Sequence, residues 1–271
     1  MTPSAAAGAR RRARRINLAS FAALVLAWIA VTTPIPGFGD APLVKPLFLP
    51  SPWSVGETFA TLLRNGYQGK SLLHHLGVSL FRFGLGFGLT VLAAVPLGLW
   101  MGMNETVKAV LDPPIEITRP MPKLALLPLL IIWFGIGEVA KVVIIVLALF
   151  PILSISAMQA VRGVGRRKIQ AALALGASRG TIFRRVIFPA SLPGIFTGIR
   201  VSIGLGVTML VGAEMIATTA GIAWMAMSAS DFLLTNVVIV GALIMAILGY
   251  SLDLCARALE NRVVHWGGKE G

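Results

Sequence analysis

The sequence predicts an all-α integral membrane protein of six spans, and three observations carry that expectation. Of 271 residues, 56% are hydrophobic and only 13% are charged, with a mean hydropathy of +0.82; a soluble domain of this length needs more polar surface. Apolar stretches close to the roughly 20 residues that cross a ~30 Å hydrocarbon core recur along the chain. They do not alternate as barrel strands do, as Val139 to Phe150 illustrates, so they span as helices. The single cysteine, Cys255, excludes an internal disulfide.

Residues 1–16 form a basic segment in which Arg10, Arg11, Arg12, Arg14 and Arg15 precede the first apolar stretch, Asn17 to Thr33. This also fits a secretory signal, but no small-residue cleavage site follows Thr33, so the first span is expected to be uncleaved. The rest of 17–72 lies outside the membrane. There a proline-rich lead-in precedes Val55 to Leu63, whose apolar residues at 55, 59, 62 and 63 suit a short helix on the bilayer surface. The main domain, 73–258, holds a second span at Gly77 to Met103 and a short third near Lys123 to Phe134, closed by the Gly135-Ile136-Gly137 turn. Three more follow at 140–160, 192–217 and 236–257, and 259–271 form a tail. Pro96, Pro128, Pro151 and Pro193 fall inside spans, where kinks are expected and neighbouring helices re-satisfy the freed carbonyls.

Lysine and arginine bias orients the bundle. With the N-terminus inside, eighteen of the 24 basic residues collect on the inner side: the N-terminal five, Lys108, Arg119, Lys123, seven from Arg162 to Arg185, then Arg257, Arg262 and Lys269. Lys45, Arg64, Lys70 and Lys141 stay outside, and Arg82 and Arg200 fall within or at the edges of spans. Both termini are therefore expected in the cytoplasm. Topology accounts for the net charge of +13, which otherwise suits a nucleic-acid-binding protein.

Between the fourth and fifth spans lies an inner loop, 162–189, long enough to have its own task. Ile169, Ala172 and Leu173 share one face of a helix over Lys168 to Leu175, Gly176 ends it, and Ser178 caps a second short helix running to Val186. Small residues at Ala171, Ala172, Ala174, Gly176 and Ala177 admit a partner backbone, and the flanking arginines suit acidic side chains or lipid phosphates. An interfacial hairpin on anionic headgroups is the plainer reading of the same pattern.

Other motifs carry less. Gly69-Lys70-Ser71 ends like a phosphate-binding loop, but Arg64 stands where its first glycine belongs, so any ATP chemistry falls to a partner. His74 and His75 are adjacent, their side chains diverge, and no acidic or thiol ligand is near, so no metal site is expected. Asn104-Glu105-Thr106 fits a glycosylation sequon on the wrong side of the membrane. No catalytic constellation is present. Charged groups inside spans are costly and face a cavity or a partner; Arg82, Arg200 and Glu214 are the candidates for a translocation pathway, with Asp253 beside them. Arg200 and Glu214 are fourteen residues apart, about 21 Å along a helix, and cannot pair within it. An anionic substrate favours the arginine, whereas gating or a hydrogen bond to another span suits Glu214. Gly98 and Gly102 have the four-residue spacing of a close helix contact.

Gln170-Ala171-Ala172, Gly176, Val186 and Pro189 resemble the Glu-Ala-Ala, Gly, Ile, Pro signature of ATP-binding-cassette importer permeases, with glutamine in place of the signature's glutamate. Leu49-Pro50-Ser51-Pro52, Arg119-Pro120-Met121-Pro122, Pro128-Leu129, Trp133 to Glu138, Gly198-Ile199-Arg200 and Ala213 to Ala217 extend the match and are similar to the nitrate, sulfonate and taurine permeases; Ser228-Ala229, Phe232-Leu233, Thr235 and Val237-Val238 look most like the taurine branch. The resemblance implies a six-helix type I importer transmembrane domain in a bacterial inner membrane, acting as a homodimeric pore for a small organic or inorganic anion. It implies cytoplasmic ATPases that bind ATP and Mg and dock on Gln170, Ala171, Ala172, Gly176, Ser178, Val186 and Pro189. A periplasmic or lipid-anchored binding protein would deliver taurine or another sulfonate; nitrate or bicarbonate is the alternative cargo. An ion-coupled secondary transporter needs no ATPase, but the halves show no convincing internal similarity.

Overall fold

The computed structural model describes residues 3–34, 42–216 and 218–266, with side chains throughout except at 3–11, 13 and 14. Ala217 and Lys269 therefore lie outside the described residues, as do the side chains of Arg10, Arg11 and Arg14. The elements are helical: α1 (Pro3–Thr32), α2 (Pro52–Asn65), α3 (Leu72–Met103), α4 (Glu105–Thr118), α5 (Leu127–Phe134, entered through a 3-10 turn at Lys123–Leu126), α6 (Glu138–Arg162), α7 (Arg166–Ala174), α8 (Arg179–Ile182), α9 (Phe188–Glu214), α10 (Ile222–Asp231) and α11 (Thr235–Val263). Among the described residues five helical stretches are long and apolar enough to cross a membrane, and six if the bent pair Glu105–Thr118 and Lys123–Phe134 counts as one span.

The expected third span, Lys123 to Phe134, is helical; what the sequence did not suggest is that α4 precedes it across a bend of 87°. Pro120 and Pro122 fit the break, because neither has an N–H with which to continue the helical ladder. One side chain gathers the carbonyls around the break: Lys123 Nζ donates to Thr118 O, which also accepts from Met121 N, to Met121 O at 3.1 Å and to Arg119 O at 3.3 Å.

A correction concerns the expected boundary between the inner loop and the fifth span. Arg179 to Glu214 is one continuous helical stretch of 36 residues, not a short helix followed by a span starting at 192. Pro189 ought to interrupt it, since it has no N–H to give. A π turn over Phe183–Ile187 absorbs the fault, with the Phe188 N–H reaching Phe183 O, so Pro189 sits in the first turn of α9 where its missing donor costs least. Pro96, Pro151 and Pro193 likewise lie inside unbroken helices.

The chain divides into two compact units. In the first, residues 1–71 and 225–241, Ser51 Oγ caps α2 by accepting from Ser54 N at 3.3 Å. Val55 and Leu62 supply the buried side of α2 while Phe59 and Leu63 stay exposed. Trp28 Nε1 donates to Pro50 O at 3.0 Å, Gln68 Nε2 to Ser228 Oγ at 3.0 Å and Thr235 Oγ1 to Leu47 O at 2.6 Å.

The second unit, 72–224 and 242–271, is built around α6, the most buried of the spanning helices. Small residues bring α3 against it. A Cβ at Gly98 would strike Ser154 O and lie 2.7 Å from Ala157 Cβ; one at Gly102 would lie 2.6 Å from Val161 Cβ. Gly194 and Gly198 of α9 meet Ala160 and Ser156 of α6 in the same way. Close backbone approach replaces the hydrophobic drive that lipid removes. A Cβ at Gly84, Gly88 or Gly204 would meet nothing of this chain within 4 Å.

Candidate functional site

Two places draw together the chemically distinctive residues of the second unit. The first is a buried polar cluster joining α3, α6 and the end of α9. Arg82 is 2% exposed and Glu214 is fully buried, and Arg82 Nη1 donates to Glu214 Oε1 at 3.0 Å. The same nitrogen donates to Ala220 O at 2.7 Å; Nε and Nη2 reach the Glu138 carboxylate at 2.5 and 2.7 Å, and Nη2 also donates to Thr218 Oγ1 at 2.9 Å. A guanidinium has five N–H donors, and all five are engaged within the chain. Lys141, also buried, donates to Glu138 Oε1 at 3.3 Å. Two cations therefore face two carboxylates, which makes the burial tolerable.

The cluster fastens residues 218–223 as well. Ser79 Oγ donates to Glu214 Oε1 at 2.7 Å and accepts from Ile222 N at 2.9 Å, while Ala223 N donates to Glu214 Oε2 at 3.0 Å. His75 Nδ1 accepts from Gly221 N at 3.2 Å, and its ring stacks on Trp224 with centroids 5.6 Å apart. Gly221 takes φ +129°, and a Cβ there would collide with the Glu214 carboxylate. Only glycine meets both demands.

Of the three pathway candidates, the fold brings Arg82 and Glu214 together and leaves Arg200 elsewhere. Arg200 is a third exposed; its Nε donates to Asp253 Oδ1 at 3.0 Å and its Nη1 lies 3.8 Å from Glu260. Glu138, Lys141, Ser79, His75 and Thr218 were not expected in this cluster. Glu138 ends the Trp133 to Glu138 motif, and His75 is one of the adjacent histidine pair. Lys141, placed on the outer side by the basic-residue bias, lies in the first turn of α6 and is 5% exposed.

The second place is the loop 162–189. Helix α7 carries Gln170 and Ala171 on its exposed side, while Ile169 and Ala172 pack on a cluster of Val161, Val164, Ile182 and Ile187 that also takes in Leu99 of α3. Leu173, expected beside Ile169, is 54% exposed instead. Gly176 takes φ +74°, the left-handed turn that favours glycine, and Ser178 Oγ caps α8 by accepting from Thr181 N at 3.3 Å. Val186 is half-buried against the same cluster, and Pro189 opens α9. Nearby, Arg162 grips Glu105 with two bonds of 2.6 and 3.1 Å, tying the end of α6 to the start of α4. The loop is thus braced by the C-terminal ends of α3 and α6 and is continuous with α9.

Comparison with known proteins follows this geometry. Residues 94–265 match the family described as "Binding-protein-dependent transport system inner membrane component". The chain is 42% identical over 255 residues to the taurine transport system permease protein TauC of Escherichia coli (strain K12), covering 94% of this chain and 90% of that protein. It is 34% identical over 238 residues to the putative aliphatic sulfonates transport permease protein SsuC of Bacillus subtilis (strain 168), covering 88% and 84%. Its fold is similar to a chain of an inward-facing MetNI methionine ABC transporter, with TM-score 0.59, 16% identity, and coverage of 76% of this chain and 98% of that one.

Proposed function

We propose taurine, or a sulfonate of similar size, as the cargo of this chain, which belongs to the binding-protein-dependent transport system inner membrane component family and is the permease subunit of an ATP-binding-cassette importer. The observation that carries the cargo is the gradient of likeness: 42% identity to a taurine permease against 34% and 38% to two aliphatic sulfonate permeases. The chain is a multi-pass inner-membrane protein; the arginine and lysine bias supports both termini in the cytoplasm, with 162–189 on the inner face and 215–221 on the outer.

On this reading a second copy completes the pore within 73–258, cytoplasmic ATPase subunits hydrolyse ATP with Mg, and an external binding protein delivers the anion. The exposed Gln170 and Ala171 of α7 and the turn at Gly176 meet the ATPase. Nucleotide-driven closure moves α7, and its braced underside passes that motion to α3, α6 and α9 as a rigid-body shift. Gln170 gives the docking helix a neutral head where the family signature is acidic, so the contact relies on shape.

At the other end of α9 the ion cluster holds the outer loop shut across three helices. Arg82 binds a sulfonate only by surrendering one of its partners, which makes it a gate element; Arg200, a third exposed, is the better contact for a passing anion. Uptake of labelled taurine, nitrate and longer alkanesulfonates, in cells lacking the native system and supplied with this importer's binding protein and ATPase, tests the assignment. Taurine is expected to enter fastest; preferential entry of nitrate moves the cargo to the inorganic anions. Copurification with an ATPase subunit in mild detergent tests the partner, since a secondary transporter retains none.

A further inference from the structure

We propose that Arg200 of α9 and Glu260 of α11 form a subsite for a zwitterionic sulfonate, the guanidinium taking the sulfonate and the carboxylate taking the ammonium. The two helices run side by side here: Arg200 meets Asp253, and further along a Cβ at Gly249 would lie 3.6 Å from Val207 Cγ2. Asp253, Arg257 and Glu260 follow one another at i, i+4 and i+7, which puts them on one face of α11.

Asp253 sets the orientation of the guanidinium. Its Oδ1 accepts from Arg200 Nε at 3.0 Å and its Oδ2 accepts from Arg257 Nε at 2.7 Å, so both oxygens are committed. Arg200 Nη1 lies 3.8 Å from Glu260 Oε2, too far for a hydrogen bond. Among the described residues no hydrogen bond engages Nη1 or Nη2, and none reaches the Glu260 carboxylate. The Nη1–Nη2 edge, a fork of two parallel donors that matches two oxygens of an oxyanion, is therefore open in a side chain one third exposed. Arg82 is the contrast, with all five of its donors engaged. A zwitterion laid beside the Arg200 and Glu260 pair, sulfonate to the one and ammonium to the other, matches both and adds no net charge. Taurine carries those groups two methylenes apart. Ethanesulfonate lacks the ammonium and so does nitrate, and each leaves Glu260 unmatched beside an anion. A site with a polar group to match discriminates against the analogue that lacks its partner. The subsite rests on the taurine reading above and lies about 21 Å along α9 from Glu214, apart from the ion cluster.

Saturation-transfer NMR on the permease with its ATPase subunits in nanodiscs, without the binding protein and titrated with taurine and with ethanesulfonate, tests it. Taurine is expected to bind about tenfold tighter than ethanesulfonate, the margin of one charge-assisted hydrogen bond. Glu260→Gln is expected to erase that margin by weakening taurine alone, Glu260→Asp to keep most of it, and Arg200→Gln to weaken both ligands about tenfold. Should Arg200→Gln fold poorly, Glu260→Gln carries the same reading, with the melting midpoint of each variant measured alongside. A parent that binds the two ligands equally, or a margin unchanged in Glu260→Gln, overturns the subsite and leaves Glu260 as an ion-pair strut between α9 and α11. Labelled uptake separates the subsite from the cargo. Rapid entry of taurine with no margin over ethanesulfonate in binding removes the subsite alone, whereas preferential entry of nitrate together with no binding of taurine removes both.

Discussion

Glu214→Gln isolates the charge of the buried cluster while keeping the shape of the side chain. The amide oxygen still accepts from Ser79 Oγ or Ala223 N, but Arg82 loses one of its two carboxylates and the cluster changes from neutral to a net charge of +1. Breaking a buried ion pair at one partner costs about 3–5 kcal/mol, most of it the penalty of the abandoned charge. Glu138 still holds Arg82 through two bonds, which places the expected loss at the lower end, about 3 kcal/mol. For a chain of this size each kcal/mol shifts the midpoint by about 2 °C, so the purified protein should melt about 6 °C lower in detergent. Removing both charges, Glu214→Gln with Arg82→Gln, should cost less than the sum of the two single changes, with a coupling of about 1–3 kcal/mol. A midpoint within 1 °C of the parent, or strict additivity, refutes the reasoning. Flux reads the gate separately: if the cluster closes the outer side, Glu214→Gln changes the rate of taurine uptake at saturating binding protein, whereas unchanged flux leaves the cluster a purely structural role.

Gly176→Asp is expected to abolish uptake and ATPase copurification, and Gly176→Asn, which tolerates a left-handed turn, to retain most of both; a Gly176→Asp chain with normal uptake contradicts the docking surface. Gly98→Val forces a branched side chain onto Ser154 O and Ala157 and should destabilise by about 1–3 kcal/mol or more, whereas Gly84→Val, with nothing of the chain within 4 Å, should melt within 1 °C of the parent when monomeric. Lys123→Met removes the donor to Arg119 O and Met121 O, while Thr118 O keeps Met121 N, and should lower the midpoint by about 2–4 °C at a cost of about 1–2 kcal/mol; spin labels on α4 and α5 should show a broadened distance distribution, and a parent-like distribution argues that the prolines alone set the bend.

Hydropathy made the spans legible because bilayer thickness fixes how long an apolar helix must be. The turn at Gly176 and the cap at Ser178 were legible because their chemistry is local. Partnerships across the bundle were not. Arg82 meets Glu138 and Glu214 at separations of 56 and 132 residues, and periodicity along one helix says which face a residue takes without saying which helix lies opposite. A search for charged residues at equal depth, counted from the outer ends of the spans, groups Arg82, Lys141 and Glu214; that depth argument was the available signal. The bend after Thr118 was visible only as two prolines in a motif. The continuity through Pro189 was hidden because a π turn is a property of the backbone, and nothing in the residue types of 183–187 demands it.

The unbroken stretch from Arg179 to Glu214 has an angular consequence. Its 36 residues extend about 54 Å at 1.5 Å each, some 24 Å beyond the roughly 30 Å hydrocarbon thickness. With Glu214 pinned in the ion cluster and the surplus length standing in water, a tilt of only about 5° swings the Arg179 end by about 5 Å, nearly one helical turn of pitch. Small changes of angle within the bundle and large displacements beneath it are thereby two readings of one rotation.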